Sequence, residues 1–194
     1  MERMLESFIT LFVIMDPIGN LPLFISLTKG MPLSEIKRNA ERSVLVAGTL
    51  LFVFLLFGLK VFDFFSINLN SFQIAGGIIL LVIGIIYVIG RQDNFAKMHG
   101  KDLSIPIGVP LLTGPGVITT TIILVKDNGA LMTAGAAIFT LTATWIILDN
   151  STKIYKLLGE YWINVTSRIM GIILAAIAVD FIIKGILNTV LPLV

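Results

Sequence analysis

Six long apolar stretches alternate with short polar ones along the chain, at about 5–27, 43–62, 72–90, 105–125, 131–148 and 169–190. Each is close to the roughly 20 residues that a helix needs to cross the hydrocarbon of a bilayer. The second, third, fifth and sixth are nearly unbroken. The first and fourth are interrupted near their centres by proline and glycine, at Asp16-Pro17-Ile18-Gly19 and Thr113-Gly114-Pro115-Gly116. The pattern predicts an all-α membrane protein with six transmembrane helices in a single transmembrane domain, residues 1–194. Helices 1 and 4 are expected to be broken mid-membrane.

The chain also repeats itself. At an offset of 94, Gly77-Ile-Ile-Leu-Leu-Val-Ile-Gly-Ile-Ile-Tyr-Val-Ile89 and Gly171-Ile-Ile-Leu-Ala-Ala-Ile-Ala-Val-Asp-Phe-Ile-Ile183 share six of thirteen residues. The two mid-span prolines, Pro17 and Pro115, are 98 apart. Two units of three spans each, about 1–92 and 103–194, must cross the membrane in opposite senses, because three is odd. The expected architecture is therefore two inverted three-helix repeats. Proline- and glycine-broken spans at corresponding positions of two such halves are a sequence pointer to a transporter's binding site.

Composition removes the competing classes. Of 194 residues, 56% are hydrophobic and 13% charged, against about 45–50% and about 25% in soluble domains, and the mean hydropathy is +0.98. So little charge cannot cover a soluble globule, which excludes a soluble enzyme, a nucleic-acid binder and a disordered chain. With no cysteine there is no disulfide, thiolate metal site or cysteine nucleophile. The single histidine, His99, sits among Lys97, Gly100, Lys101 and Asp102 and reads as a solvated loop residue. No metal and no cofactor is expected. The first residues lack a signal peptide's basic region and cleavage site, so the first span is expected to be retained.

Charge placement predicts orientation. With six spans, 10 of the 14 Lys and Arg fall on one side and 4 on the other. The richer side belongs in the cytoplasm, which puts both termini outside. The segment from Pro32 to Arg42 reads as a cytoplasmic extension of helix 2, capped by Ser34 with Glu35 in its first turn. Tyr155, Tyr161 and Trp162 suit an interfacial aromatic belt.

The two breaks differ in chemistry. Proline is comfortable at the first position of a helix, so Asp16 is placed to cap a half-helix beginning at Pro17. Gly19 and Pro22 loosen this stretch further, and Asn20 offers an amide. At the second break the half-helix begins at Pro115 and its cap position is Gly114, which has no side chain. A helix N-terminus carries free N–H groups and a positive partial charge. In helix 1 that end is answered by the Asp16 carboxylate. In helix 4 it is open, with Gly116 expected to leave room for a ligand and Thr119, Thr120 and Thr121 following as hydroxyl donors. A small zwitterion could direct its ammonium toward Asp16 and its carboxylate toward 114–116.

Asp180 lies near the middle of the last span, where a charge is costly and usually faces the bundle interior. Lys184, four residues on, is on the same face and can pair with it; the alternative is a proton or cation site. Gly76, Gly77 and Gly171 allow close helix packing. Thr140 and Thr144 share a face of helix 5 and either bond back to their own helix or line a cavity.

These residues resemble the MarC family of six-span membrane proteins. The resemblance is carried by Asp16-Pro17-Ile-Gly19-Asn20-Leu-Pro22, Phe72-Gln-Ile-Ala-Gly76-Gly77-Ile, Pro110-Leu-Leu-Thr113-Gly114-Pro115-Gly116-Val-Ile-Thr119-Thr120 and Arg168-Ile-Met-Gly171-Ile-Ile-Leu-Ala-Ala-Ile-Ala-Val. It covers essentially the whole chain. It implies a place near the LysE-type exporter superfamily, an inner or plasma membrane location, and transport of small neutral amino acids such as glycine and alanine. Asp180 departs from the pattern, which implies an uncharged polar residue such as glutamine there. The expected function is a secondary transporter coupled to protons or Na⁺, with a small zwitterionic substrate and the lipid bilayer as partners. The alternatives are an ion channel, an exporter of other small metabolites, or an intramembrane enzyme using Asp16 and Asp180. No charged ring, filter repeat or catalytic motif supports the channel or the enzyme.

Overall fold

The computed structural model describes residues 2–91 and 102–190; Lys97, His99 and Lys101 lie outside them. The described residues form helices α1 (Glu2–Met15), α2 (Pro17–Leu27), α3 (Leu33–Phe57), α4 (Lys60–Phe64), α5 (Leu69–Val88) and α6 (Ser104–Pro106). The last runs into a π-helical stretch (Ile107–Leu112), followed by α7 (Pro115–Asn128), α8 (Ala130–Asp149) and α9 (Ser151–Val190). No strand occurs among the described residues. Among the described residues, five spans are long and apolar enough to cross a membrane, with α1 and α2 counted together. The segments Ser104–Leu112 and Pro115–Asn128, bent by 57°, bring the number to six when taken as one crossing.

The expected spans are recovered with shifted ends. The helix of span 2 begins at Leu33, through the extension expected ahead of the apolar stretch, and ends at Phe57 rather than 62, because Gly58 adopts φ 55 and turns the chain into α4. Ser34 is not the cap of α3. Pro32, in extended geometry, holds that position, and its carbonyl accepts from the amides of Glu35 and Ile36, which leaves Ser34 inside the first turn. Gly159, at φ 80, divides α9 into 151–158 and 160–190.

In a bilayer, lipid tails are as apolar as leucine, so helices associate through close packing and interhelical hydrogen bonds rather than by escape from water. The α5–α9 crossing illustrates this. A methyl group on Gly77 would sit 2.8 Å from the Ala178 carbonyl oxygen, and one on Gly84 2.8 Å from that of Gly171. One on Gly171 would sit 2.9 Å from the Gly84 carbonyl oxygen. The two backbones touch, and any side chain at these glycines would hold them apart. Gly76 permits a similar approach to the Pro115 ring.

Around this crossing, α1 packs on α8 and α7, α2 on α9, and α3 on α8 and the π-helical stretch. Leu11, Met15, Leu23, Phe24, Ile107 and Leu112 are fully buried between them. Large apolar side chains such as Ile9, Ile78, Phe139 and Ile172 are exposed, as a lipid-facing surface requires. Hydrogen bonds cross the interior: the Tyr87 hydroxyl donates to the Leu23 carbonyl (3.2 Å) and Ser167 Oγ to that of Pro22 (2.9 Å).

Candidate functional site

The first break is a single residue. Asp16 takes left-handed geometry, φ 43 and ψ 59, which aspartate tolerates better than most residues. Its Oδ1 accepts from the Gly19 amide at 2.9 Å, so it caps α2 as expected. The helix resumes at once at Pro17, and the interruption does not extend to Gly19. Pro17 needs no N–H partner at that position and its fixed φ suits a first turn. A methyl group at position 19 would collide with the Asp16 carboxylate and lie 2.7 Å from Met170 Cε, so the capping carboxylate and the methionine would both have to shift.

The second break is wider. The π-helical stretch ends at Leu112, Thr113 and Gly114 leave helical geometry, and α7 begins at Pro115. Gly114, extended at φ −75 and ψ −179, makes no side-chain cap. The amides of Gly116 and Val117 are in the first turn, where no intrahelical acceptor exists.

Asn20 joins the two breaks. Its Nδ2 donates to the Met15 carbonyl at 3.0 Å and to the Leu111 carbonyl at 3.2 Å. Both acceptors are orphans of the breaks. In a regular helix Met15 would accept from the Gly19 amide, which Asp16 has taken, and Leu111 would accept from residue 115, where proline has no N–H. Buried carbonyls must be satisfied, and one asparagine serves both. The stretch Asp16-Pro17-Ile18-Gly19-Asn20 thus contains its own repair group.

The breaks converge on a cavity of about 320 Å³. Asp16, Asn20, Gly114, Gly116, Asp180 and Lys184 all line it. Asp180 Oδ2 and Lys184 Nζ are 2.7 Å apart, and both side chains remain about half exposed. The lining therefore holds two carboxylates and one ammonium beside an uncapped helix end.

Other expected site residues lie elsewhere. Thr113 turns its hydroxyl to the Ala47 carbonyl of α3 (3.1 Å). Thr119 accepts from Gln73 Nε2 at 3.4 Å, and Thr121 bonds back to the Val117 carbonyl. Pro17, Gly19, Pro115, Thr119 and Thr120 do not line the cavity. A few residues past the break, Thr119 has rotated toward α5 and Thr121 toward its own backbone. The space beside Gly116 is not empty either: a methyl group there would sit 2.6 Å from Cζ of Phe181. Gly116 admits that ring, which itself lines the cavity. Thr144 bonds back to the Thr140 carbonyl and faces the Met15 sulfur (3.4 Å), so this face of α8 packs on the end of α1. Phe181 and the Met15–Leu111 bridge were missed by sequence reasoning, because both depend on which spans meet.

The match to known proteins covers nearly the whole chain. The model of the MarC family integral membrane proteins matches residues 1–190. A UPF0056 membrane protein of Methanocaldococcus jannaschii is 33% identical, over 98% of this chain and 99% of its own length. The UPF0056 membrane protein YvbG of Bacillus subtilis is 32% identical, over 92% of each chain. The UPF0056 inner membrane protein YhgN of Escherichia coli is 31% identical, over 96% of this chain and 97% of its own. No solved structure matches the chain. A helical chain with apolar spans, two proline-glycine breaks and this extent of similarity belongs to the MarC family of integral membrane proteins.

Proposed function

We propose that this membrane protein is a secondary transporter of small neutral amino acids, built as two inverted three-span repeats with both termini outside. The observation that carries the reading is the cavity at the two breaks. It presents the Asp16 carboxylate from one broken span and the uncapped amides of Gly116 and Val117 from the other. A carboxylate attracts an ammonium, and an open helix N-terminus attracts a carboxylate. A zwitterion with a short side chain satisfies both. Asp16, Asp180 and Lys184 put two acids against one base in the lining, and one proton or Na⁺ entering with the substrate would balance the second acid. Asn20 meets the freed carbonyls of the breaks, and the remaining irregular backbone is tolerable at membrane depth where it is buried in protein or faces such a cavity.

The packing of α5 on α9 supports the inverted repeat. The offset of 94 maps Gly77 onto Gly171, Gly84 onto Ala178 and Val88 onto Ile182. Gly77 abuts the carbonyl of Ala178 and the amide of Ile182, and Gly171 abuts the carbonyl of Gly84 and the amide of Val88. Each contact has its partner under exchange of the two halves, as a two-fold axis requires. The flanking helices agree: α1 packs on α8 as the π-helical stretch packs on α3, and α2 on α9 as α7 on α5.

The test is uptake of labelled glycine into proteoliposomes, with and without proton and Na⁺ gradients. Saturable, gradient-dependent flux is expected, with Asp16→Asn losing zwitterions more than uncharged amides. Absence of saturable flux for every small zwitterion, with folded protein in the bilayer, would overturn the reading.

A further inference from the structure

A second cavity, of about 270 Å³, lies away from the breaks, between the turn that follows α2 and the first segment of α9. Its lining includes Lys29, Ser151, Thr152, Tyr155 and Lys156, over an apolar floor of Ile25, Met31 and Ile36. Ser151 is 1% exposed, and its Oγ has no hydrogen-bond partner; the buried Oγ1 of Thr152 has none either. Two unpartnered hydroxyls side by side are unusual, since buried polar groups are nearly always satisfied. Ser151 and Thr152 are also the first two residues of their helix, where the amides have no intrahelical acceptor. Hydroxyl donors, helix-end amides and the Lys156 ammonium around one cavity make a surface rich in donors and suited to an anion.

The acids nearby are already engaged. Glu160 holds Lys29 at 2.6 Å across the Gly159 bend, and Lys37 holds Asp149 at 3.4 Å. Lys156 takes part in no ion pair among the described residues. The cavity also sits where a bilayer's polar layer is expected. Just beyond it, Leu157 is 84% exposed, with Tyr161 and Trp162 exposed beside it, a mixture typical of the membrane–water boundary. Basic pockets between membrane helices at that level suit lipid head groups.

We infer that this cavity binds a phosphate-bearing ligand, either an anionic lipid head group or a free phosphate, with Ser151, Thr152 and Lys156 as its donors. Such a site is independent of what the protein transports. Its test uses the purified full chain in a neutral detergent, titrated separately with dioctanoyl phosphatidate, dioctanoylglycerol and inorganic phosphate, and read by calorimetry and thermal stability. Phosphatidate is expected to bind saturably and to raise the unfolding temperature, and dioctanoylglycerol is not. Ser151→Ala and Lys156→Gln should each weaken phosphatidate binding by about tenfold, the worth of one charge-assisted hydrogen bond. Without ligand, Ser151→Ala should be no less stable than the parent, because the hydroxyl it removes has no partner. If it does not fold, the exposed Lys156→Gln carries the test alone. Inorganic phosphate binding as well as phosphatidate would identify a soluble ligand, and binding by phosphatidate alone would identify a lipid. Equal effects of phosphatidate and dioctanoylglycerol, or phosphatidate binding indifferent to the substitutions, would overturn the proposal.

Discussion

Asn20 holds two carbonyls that the chain's own prolines and caps have orphaned, one in each broken span. Leucine is of similar size but donates nothing. Asn20→Leu should therefore cost about 2 kcal/mol or more, since each buried group left unsatisfied costs about 1–3 kcal/mol. Chemical denaturation in detergent would read this, and stability equal to the parent would mean that the carbonyls find other partners. A second residue-scale expectation concerns Asp102, outside the spans. Its carboxylate is held below the ordinary range first by the Ser104 hydroxyl, then by the Ser104 amide and the nearby Arg42 guanidinium at 2.6 Å. A lowered folded pKa gives stability that is fully present above the unfolded value, about 3.9, and is lost as pH falls through the folded value. The group is exposed, so the contribution is below about 1 kcal/mol. Asp102→Asn should be slightly less stable than the parent at pH 7, and the gap between the two melting temperatures should begin to shrink below about pH 4 and close only once the pH has fallen through the lowered folded value. A gap that persists in acid would assign the effect to something other than the carboxylate's charge.

At the scale of elements, the spans were legible because lipid imposes a length and an apolar composition that the sequence displays openly. The breaks were legible for a similar reason: proline acts locally, through its missing N–H and fixed φ, and Pro17 and Pro115 mark helix starts, whereas Pro22, expected to loosen its stretch, lies inside the unbroken α2 and Pro110 inside the π-helical stretch. The cap at Asp16 followed from the same local rule. Helix phase was less visible. Thr113 and Thr119 turn away from the cavity because of rotation about the axis and the position of α3 and α5, which adjacency in sequence does not encode. Gly116 was readable as a need for space, but its occupant, Phe181, lies 65 residues on. The glycines of the α5–α9 crossing allow a direct check. Gly77→Ala and Gly171→Ala push a methyl group to 2.8 and 2.9 Å from a backbone oxygen of the facing helix, and overpacking of this kind costs about 1–3 kcal/mol. The proposed two-fold exchanges these two contacts, so their costs should match within about 1 kcal/mol. A large cost at one glycine and none at the other, read by denaturation in detergent, would break the equivalence of the halves.

At the scale of the molecule, the proposed orientation rests on the 10-to-4 distribution of Lys and Arg over the two sides, the richer side facing the cytoplasm. A reporter fused after Val194 should be reachable from the external face of intact cells, and a cytoplasmic signal would reverse the assignment. The α5–α9 crossing also constrains how such a molecule could move. Helices slide past one another when the side chains between them can change rotamer. At Gly77, Gly84 and Gly171 each helix brings its backbone against a carbonyl oxygen of the other, so this joint leaves little room to slip. It is a rigid beam that ties one half of the chain to the other. In the proposed transporter, exposure of the cavity first to one side and then to the other would fall to the pieces hung on that beam, with the breaks at Asp16 and Gly114 as the expected pivots.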